Sequence, residues 1–461
     1  MNARALSAWH GITELAVAND NAIAPDGASF INRATRYLHI LEAKFKFLTF
    51  VNTMIPTTAA LGLQFVTFAI TARGLGVEQF GAYSALLALV GVAVELAGLG
   101  GADLLVRAVA RNRESFQIYY GNMLMLLAIT FPIVVVCGVV LAIVGMHTTV
   151  MVLGVTVALL GEILVARMSA SMELIMVAHG KIVQAGWIRL LTIAVRLVIA
   201  TGYFILMAQH SLAGWIALMC TQAIIVSVGY ILLAAKLFGL PIWKLQTAEL
   251  STGTSFCVSQ SARAMQSNLD RMLLSRFADD AALGLYGAAS RILQLGLFPI
   301  QVVMRTLCVN FYVHGVNGLN ASRRYALQVA PTLLGVGIFS ALCVAATALL
   351  APVVLGKEFA AATGTTLRLA FALPLIALQY PAADALSGAG LQTLRAHIYV
   401  AAAVGFGFVL VAGVKLGGIH GLIYAFLIGH LLLAITLWVC TFVCSGKPPT
   451  ADIGPIEPLL P

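Results

Sequence analysis

Charged residues are scarce in this sequence. Asp, Glu, Lys and Arg together make up only 10% of its 461 residues, whereas a typical soluble protein is about 25% charged. Hydrophobic residues make up 61%, and the mean hydropathy is +0.97. A soluble fold of this length could not hide so much apolar surface from water. The composition excludes a soluble enzyme, a disordered chain and a nucleic-acid-binding domain, and it predicts a polytopic membrane protein.

Motifs of catalytic, metal and cofactor chemistry are missing as well. The seven cysteines form no CxxC pair and no Cys/His cluster, so we expect no disulfide, no metal and no cofactor. There is no G-x-x-x-x-G-K-[ST], G-x-S-x-G or H-E-x-x-H motif, which argues against a built-in ATPase and against hydrolases of those classes. Residues 1–29 lack the apolar region of a secretory signal. The loops are short on both faces, which argues against an enzyme of glycan assembly.

What the sequence does contain is a series of long apolar segments. Each is about 20 residues long, enough to cross a bilayer as a helix at about 1.5 Å per residue. The seventh is the least apolar because it contains Arg263, Asp270 and Arg271. The twelve predicted spans are 47–72, 81–102, 119–144, 149–168, 187–208, 212–235, 255–276, 283–311, 326–354, 367–388, 396–416 and 419–444. The predicted fold class is an all-α membrane protein with about twelve transmembrane helices.

The basic residues indicate the orientation of these spans. If the N-terminus is cytoplasmic, 17 of the 27 Lys and Arg residues lie at the cytoplasmic face, 5 at the opposite face and 5 inside spans. This asymmetry follows the positive-inside rule and predicts that both termini are cytoplasmic.

The spans also predict how the chain is divided. Residues 30–46 have the pattern either of an amphipathic helix on the inner leaflet or of an ordinary solvated segment. The predicted regions are a cytoplasmic tail (1–46), a first six-helix bundle (47–235), a linker (236–254), a second six-helix bundle (255–444) and a C-terminal cytoplasmic tail (445–461).

One short pattern occurs twice, at equivalent places in the two predicted bundles. The motif R-x7-G-x-Y-x-A precedes the second span and recurs before the eighth, 203 residues later. Its residues are Arg73, Gly81, Tyr83 and Ala85 in the first copy and Arg276, Gly284, Tyr286 and Ala288 in the second. This predicts two parallel repeats, and transporters built from repeats bind their substrate between the halves, near mid-membrane.

Ionisable residues inside spans are the candidate site, because each costs a few kcal/mol or more at the bilayer centre. On the seventh span, Arg263, Gln266 and Asp270 have the spacing i, i+3, i+7 and so share one face of the helix, with Arg271 beside them. Asp270 has two interpretations: a coupling or charge-balancing group of the site, or a partner that only neutralises a neighbouring arginine.

Three further arginines lie inside other spans. Arg291 and Arg305 on the eighth span are 14 residues apart and share a face, and Arg196 lies near the middle of the fifth. Five arginines against one aspartate would make a water-filled cavity electropositive. Guanidinium groups bind phosphate oxygens in pairs, so such a cavity suits phosphate or pyrophosphate.

Some of these residues also have a purely structural interpretation, whereas Arg263 and Arg291 are the hardest to explain by structure alone. Arg305 is close enough to the cytoplasmic end of its span to extend its head group out of the membrane. Arg196 could form a structural ion pair with Glu162 on the fourth span. Glu95, on the second span, is either a protonatable coupling group or a hydrogen-bonded packing group.

A set of short motifs gives the sequence a family resemblance. They are Pro56, Arg73-Gly74-Leu75-Gly76, Phe80-Gly81-x-Tyr83, Gly98-Leu99-Gly100 and Arg107 in the first half, and Asp270, Leu273-Leu274, Gly284-x-Tyr286, Ala288-Ala289-x-Arg291 and Pro299 in the second. In this order, with twelve spans and the repeat, the sequence resembles the Wzx-like polysaccharide transporters (O-antigen flippases) of the multidrug/oligosaccharidyl-lipid/polysaccharide flippase superfamily, over about residues 45–444.

The resemblance implies a MATE-like architecture of two six-helix bundles around a central cavity, in the bacterial inner membrane. It implies a flippase that moves undecaprenyl-pyrophosphate-linked oligosaccharides from the inner to the outer leaflet for O-antigen, lipopolysaccharide, capsule or exopolysaccharide synthesis. The implied partners are that lipid-linked oligosaccharide and the bilayer, with a polysaccharide polymerase and co-polymerase as candidate protein partners; nucleic acid is not expected. The alternative is a cation-coupled multidrug exporter of the same superfamily, which would need acidic groups in its cavity.

Overall fold

The computed structural model describes residues 27–145 and 152–444. The side chains of residues 27–51 and of a few later positions, including Arg305, lie outside what it describes. The described residues form twelve α-helices and no strand, which confirms the predicted all-α class. The helices are α1 (Gly27–Leu96), α2 (Gly101–Arg111), α3 (Phe116–Gly145), α4 (Val152–Ala178), α5 (Ile182–Ala200), α6 (Leu212–Phe238), α7 (Leu250–Phe277), α8 (Asp280–Gly315), α9 (Leu319–Val354), α10 (Ala362–Ala370), α11 (Ala372–Gly388) and α12 (Gln392–Val443).

The chain divides into two compact units, residues 1–58 and 59–461. In the first unit, residues 27–58 are helical and include the predicted amphipathic segment 30–46, whose side chains lie outside the described residues. Most of the predicted N-terminal tail and the C-terminal tail 445–461 also lie outside the described residues. All side-chain contacts given below are within the second unit.

Nine helices in the described ranges are long and apolar enough to cross a membrane. Two of these stretches are too long for one crossing, since a bilayer core takes about 20 residues: Ile55–Leu96 has 42 residues and Gln392–Val443 has 52. Each is interrupted at glycine, at Gly76 with φ 70° and at Gly417–Gly418 with φ 54° at the second residue. Glycine adopts positive φ without steric cost, so each interruption separates two predicted spans.

Helix α7 is the seventh predicted span, and it is absent from those nine because its sequence is too polar. The tenth span consists of α10 and α11 in series, over Ala362–Gly388. With α7 added and the two interrupted helices counted twice, the described chain accommodates the twelve predicted crossings. The linker is shorter than the predicted 236–254, because α6 continues to Phe238 and α7 already begins at Leu250.

The helices of the second unit pack in two groups. Helices α2 to α6 contact one another, with α4 against α2, α3, α5 and α6. Helices α7 to α12 contact one another, with α9 against α8, α10 and α11. Contacts between α2 and α7 connect the groups. The residue limits of the two predicted bundles remain a prediction.

The 203-residue repeat forms a contact between α1 and α8. A Cβ atom on Gly81 would lie 1.8 Å from the carbonyl oxygen of Asp280, and one on Gly284 would lie 2.1 Å from that of Val77. Val77 and Asp280 are themselves 203 residues apart, so the contact is reciprocal, as at the interface of two subunits related by a two-fold axis. The part of α1 that follows Gly76 therefore crosses α8 at a distance that only glycine permits.

Candidate functional site

A cavity of about 240 Å³ lies among α7, α8, α11 and α12. The stripe predicted on α7 forms part of its wall, because Arg263, Gln266 and Asp270 all line it. The other helices contribute polar residues that include Gln294, Gln301, Gln379, Tyr380, Arg395 and Tyr399. The structure thus brings together the three residues that the i, i+3, i+7 spacing placed on one face.

These three α7 residues differ in how their polar groups are satisfied. Arg263 is exposed and has no carboxylate partner among the described residues. Gln266 is buried. Asp270 is 3% exposed; one of its oxygens accepts a hydrogen bond from the Tyr286 hydroxyl at 2.8 Å, whereas Oδ1 has no hydrogen-bond partner in the described part of the chain. A buried carboxylate oxygen without a partner is costly and calls for a ligand or water.

Arg271 is placed differently from its neighbours on α7. It does not line the cavity and is only 1% exposed. Its guanidinium donates to Asn268 Oδ1 at 2.6 Å, and its Nε lies 3.9 Å from Asp270 Oδ1. Arg271 and Asp270 are therefore a buried charge pair at the edge of the cavity. This agrees with the interpretation in which Asp270 neutralises a neighbouring arginine.

Arg291 on α8 follows the cavity residue Ser290 but is itself not on the wall. It is half-buried, and its Nη1 donates to Gln294 Oε1 at 3.3 Å. No described carboxylate lies within ion-pair distance of it. Its electrostatic neighbours include Arg271 from its own group of helices, and Glu162 and Arg196 from the other. Arg291 thus lies where the two groups of helices meet.

The structure pairs Arg196 with a carboxylate. Its Nη2 lies 2.7 Å from Glu162 Oε2, and the Tyr83 hydroxyl donates to Glu162 Oε1 at 3.1 Å. This geometry supports the structural interpretation of Arg196. Glu95 lies 3.9 Å from Arg167, so it also has a basic neighbour. The side chain of Arg305 lies outside the described residues.

Part of the cavity wall was missed by the sequence analysis. Arg395 lies between the tenth and eleventh predicted spans, among the basic residues predicted at the cytoplasmic face, yet it lines the cavity and its Nη1 lies 2.9 Å from Asp384 Oδ1. Gln266 was predicted, but Gln294, Gln301 and Gln379 were not, because the ionisable residues of the spans were the guide to the site. A usable signal was present, since Gln294 and Gln301 lie seven residues apart, two turns along one face of α8.

The charges on the wall do not cancel. Asp270 pairs with Arg271, and Arg395 pairs with Asp384. Arg263 remains without a described counter-charge, so the cavity carries an excess positive charge and offers guanidinium and amide donors. This arrangement suits an anionic or strongly hydrogen-bonding solute and disfavours an organic cation.

Comparison with known proteins shows which family and which solved structures the chain is similar to. A family model described as "Polysaccharide biosynthesis protein" matches residues 49–307. No curated protein sequence matches the chain. A multidrug resistance MATE family transporter of the MOP superfamily, in an inward-facing conformation, has a TM-score of 0.64 at 16% identity, over 85% of this chain and 97% of its own.

Two other solved structures have the same fold. A mutant of the Vibrio cholerae MATE transporter VcmN gives a TM-score of 0.58 at 16% identity, over 86% of this chain and 95% of its own. A MOP superfamily transporter from Pyrococcus furiosus is described as having a binding pocket of reverse polarity. It gives a TM-score of 0.59 at 15% identity, over 85% of this chain and 94% of its own. At these identities the similarity shows a common fold and nothing finer.

Proposed function

Because the chain belongs to the polysaccharide biosynthesis protein family, we propose that this membrane transporter is a lipid-linked oligosaccharide flippase. Its substrate would be an undecaprenyl-pyrophosphate-linked oligosaccharide, moved from the inner to the outer leaflet of the bacterial inner membrane. The product would serve exopolysaccharide, capsule or O-antigen synthesis.

The observation that carries this proposal is that two arginines, Arg263 and Arg291, lack a carboxylate partner among the described residues. Each lies within a predicted span. Arg196, Arg271 and Arg395, by contrast, each have a carboxylate partner. A guanidinium without a counter-ion in a membrane helix is costly, so an anionic substrate is the simplest partner.

The position of these arginines suggests a division of roles. Arg263 on the cavity wall would hold the pyrophosphate through paired hydrogen bonds from its guanidinium group. Arg291 would contact the same head group where the two groups of helices meet. The prenyl chain would stay in the bilayer while the two groups of helices rock against each other and the head group passes to the opposite side.

The competing function is a cation-coupled drug exporter. It is favoured by the fold shared with MATE transporters and by Asp270, an acidic cavity residue with an oxygen that lacks a described hydrogen-bond partner. The excess positive charge of the wall argues against it, because a cationic drug would also meet Arg263, which has no described counter-charge.

Deletion of the gene in its host separates the two functions. The flippase predicts that lipid-linked repeat units accumulate in the inner leaflet and that surface polysaccharide is lost, with unchanged drug sensitivity and with recovery when the gene is restored. Normal polysaccharide together with raised drug sensitivity would instead support the exporter and contradict the proposal.

A further inference from the structure

The cavity wall has an unusual amount of uncharged hydrogen-bonding capacity. Four glutamines line it, one on α7, two on α8 and one on α11: Gln266, Gln294, Gln301 and Gln379. A glutamine amide offers both donors and acceptors, whereas pyrophosphate oxygens only accept. The Nε2 of Gln379 already donates to the His430 carbonyl, and the Oε1 of Gln294 accepts from Arg291. The amides of Gln266 and Gln301 provide further donors and acceptors, and such groups match a solute that also both donates and accepts.

Several of these polar groups are unsatisfied and border the cavity. Gln266 is 7% exposed and makes no hydrogen bond to another side chain that the structure describes. The Oγ of Ser290 and the Oδ1 of Asp270, both buried wall residues, also lack partners in the described part of the chain. Buried polar groups are normally paired. The oxygens of Ser290 and Asp270 are enclosed by protein atoms, so the Gln266 amide is the unpaired group of this set that a polar occupant of the cavity can reach.

The same wall also provides apolar ring surfaces. Tyr380 and Tyr399 line the cavity together with Phe426. A sugar ring presents hydroxyl groups around its edge and C–H groups on its faces, so it needs both amides and aromatic rings. An acyl chain would leave the amides unpaired, and an organic cation would meet an excess of positive charge.

We propose that this cavity binds a monosaccharide unit of the lipid-linked oligosaccharide, the one nearest to the pyrophosphate. This inference rests on the proposed function and specifies which part of the substrate each residue contacts. Arg263 is exposed on the same wall, so it can hold the pyrophosphate while the attached sugar occupies the space between the glutamines and tyrosines. A volume of about 240 Å³ is large enough for one such ring.

The test compares two lipids that differ only in their sugars. One probe is undecaprenyl pyrophosphate; the other is the lipid-linked repeat unit extracted from the deletion strain. Their dissociation constants are measured for the purified full-length protein, its Gln266→Leu variant and the matched control Gln222→Leu. Gln222 is buried like Gln266 but lies on α6, outside the cavity.

We expect Gln266→Leu to weaken binding of the sugar-bearing lipid about tenfold, as for the loss of one or two hydrogen bonds, and to leave undecaprenyl pyrophosphate binding unchanged. Gln301→Leu provides the same test at an exposed wall position, where a folding defect is not expected. Equal affinity of both variants and wild type for the sugar-bearing lipid would overturn the sugar site and leave the flippase intact. A wild-type protein that binds neither lipid would overturn the proposed function itself.

Discussion

The reciprocal glycine contact gives the most direct test of how α1 and α8 meet. In a Gly81→Ala variant, the added methyl group would lie 1.8 Å from the carbonyl oxygen of Asp280. An ordinary contact begins at 3.4 Å, so the helix backbones must separate by about 1.6 Å. Backbone atoms cannot rotate out of the way as a side chain can, and the strain therefore falls on the helix crossing.

The size of the effect follows from two opposing contributions. Inserting a methyl group into a well-packed site costs about 1–3 kcal/mol, and alanine in place of glycine inside a helix returns up to about 1 kcal/mol. Gly229→Ala on α6 is the matched control, because its Cβ would meet nothing within 4 Å and only the favourable contribution applies.

The assay is thermal unfolding of the purified proteins in one detergent. Gly81→Ala should unfold a few degrees below wild type, and Gly229→Ala at or slightly above it. Gly284→Ala should resemble Gly81→Ala because its contact with Val77 is the reciprocal one. If Gly81→Ala and Gly229→Ala unfold at the same temperature, the two helices do not approach as described and the account of the repeat is wrong.

Three further predictions concern charged groups. Arg263→Ala or Arg291→Ala should abolish polysaccharide export at normal protein levels in the membrane, measured by complementation of the deletion strain, because the pyrophosphate loses its counter-charge. Glu162→Gln should lower the free energy of unfolding by about 3 kcal/mol, measured by denaturant unfolding, since Arg196 is left without its partner. His179 lies just beyond the end of α4, and burial lowers its pKa. The folded protein therefore favours the neutral imidazole, and this contribution to stability is fully present above about pH 6.5. The melting temperature should fall as the pH drops below that value.

Each of these predictions has its own control. Full polymer yield in both arginine variants would remove Arg263 and Arg291 from the site. A Glu162→Gln protein as stable as wild type would mean that the ion pair contributes nothing. For the pH effect, His179→Phe retains an aromatic ring between Phe116 and Phe238, and it should show a smaller loss of melting temperature on acidification than wild type; an identical loss would assign the effect to other groups.

Much of the fold could be predicted because a membrane imposes simple rules on a sequence. Helix length and apolar composition predicted the crossings, including the seventh, although the charged residues of α7 make it the least apolar of them. The repeat predicted two related halves. It gave no indication that Gly81 and Gly284 are where those halves touch, because a pattern in one chain carries no information on which faces meet.

The candidate site was less predictable than the fold. Helical spacing placed Arg263, Gln266 and Asp270 on one face, and the structure finds all three on one cavity wall. The sequence predicted that the arginines line one cavity, whereas the structure separates them. Arg196 forms an ion pair with Glu162, and Arg291 is not on the cavity wall. Whether a charge is neutralised depends on residues from other helices, which periodicity within one helix does not show.

By itself, the sequence determined the membrane environment, the helical class, the number of crossings and the polar stripe on α7, because each depends on composition or on spacing within one segment. The tertiary structure alone decided that the polar residues of α7, α8, α11 and α12 enclose one cavity and that Arg263 and Arg291 have no described carboxylate partner. Those properties arise from contacts between distant segments, and the strength of a charge in a membrane depends on what lies within a few ångströms of it, whatever its distance along the chain.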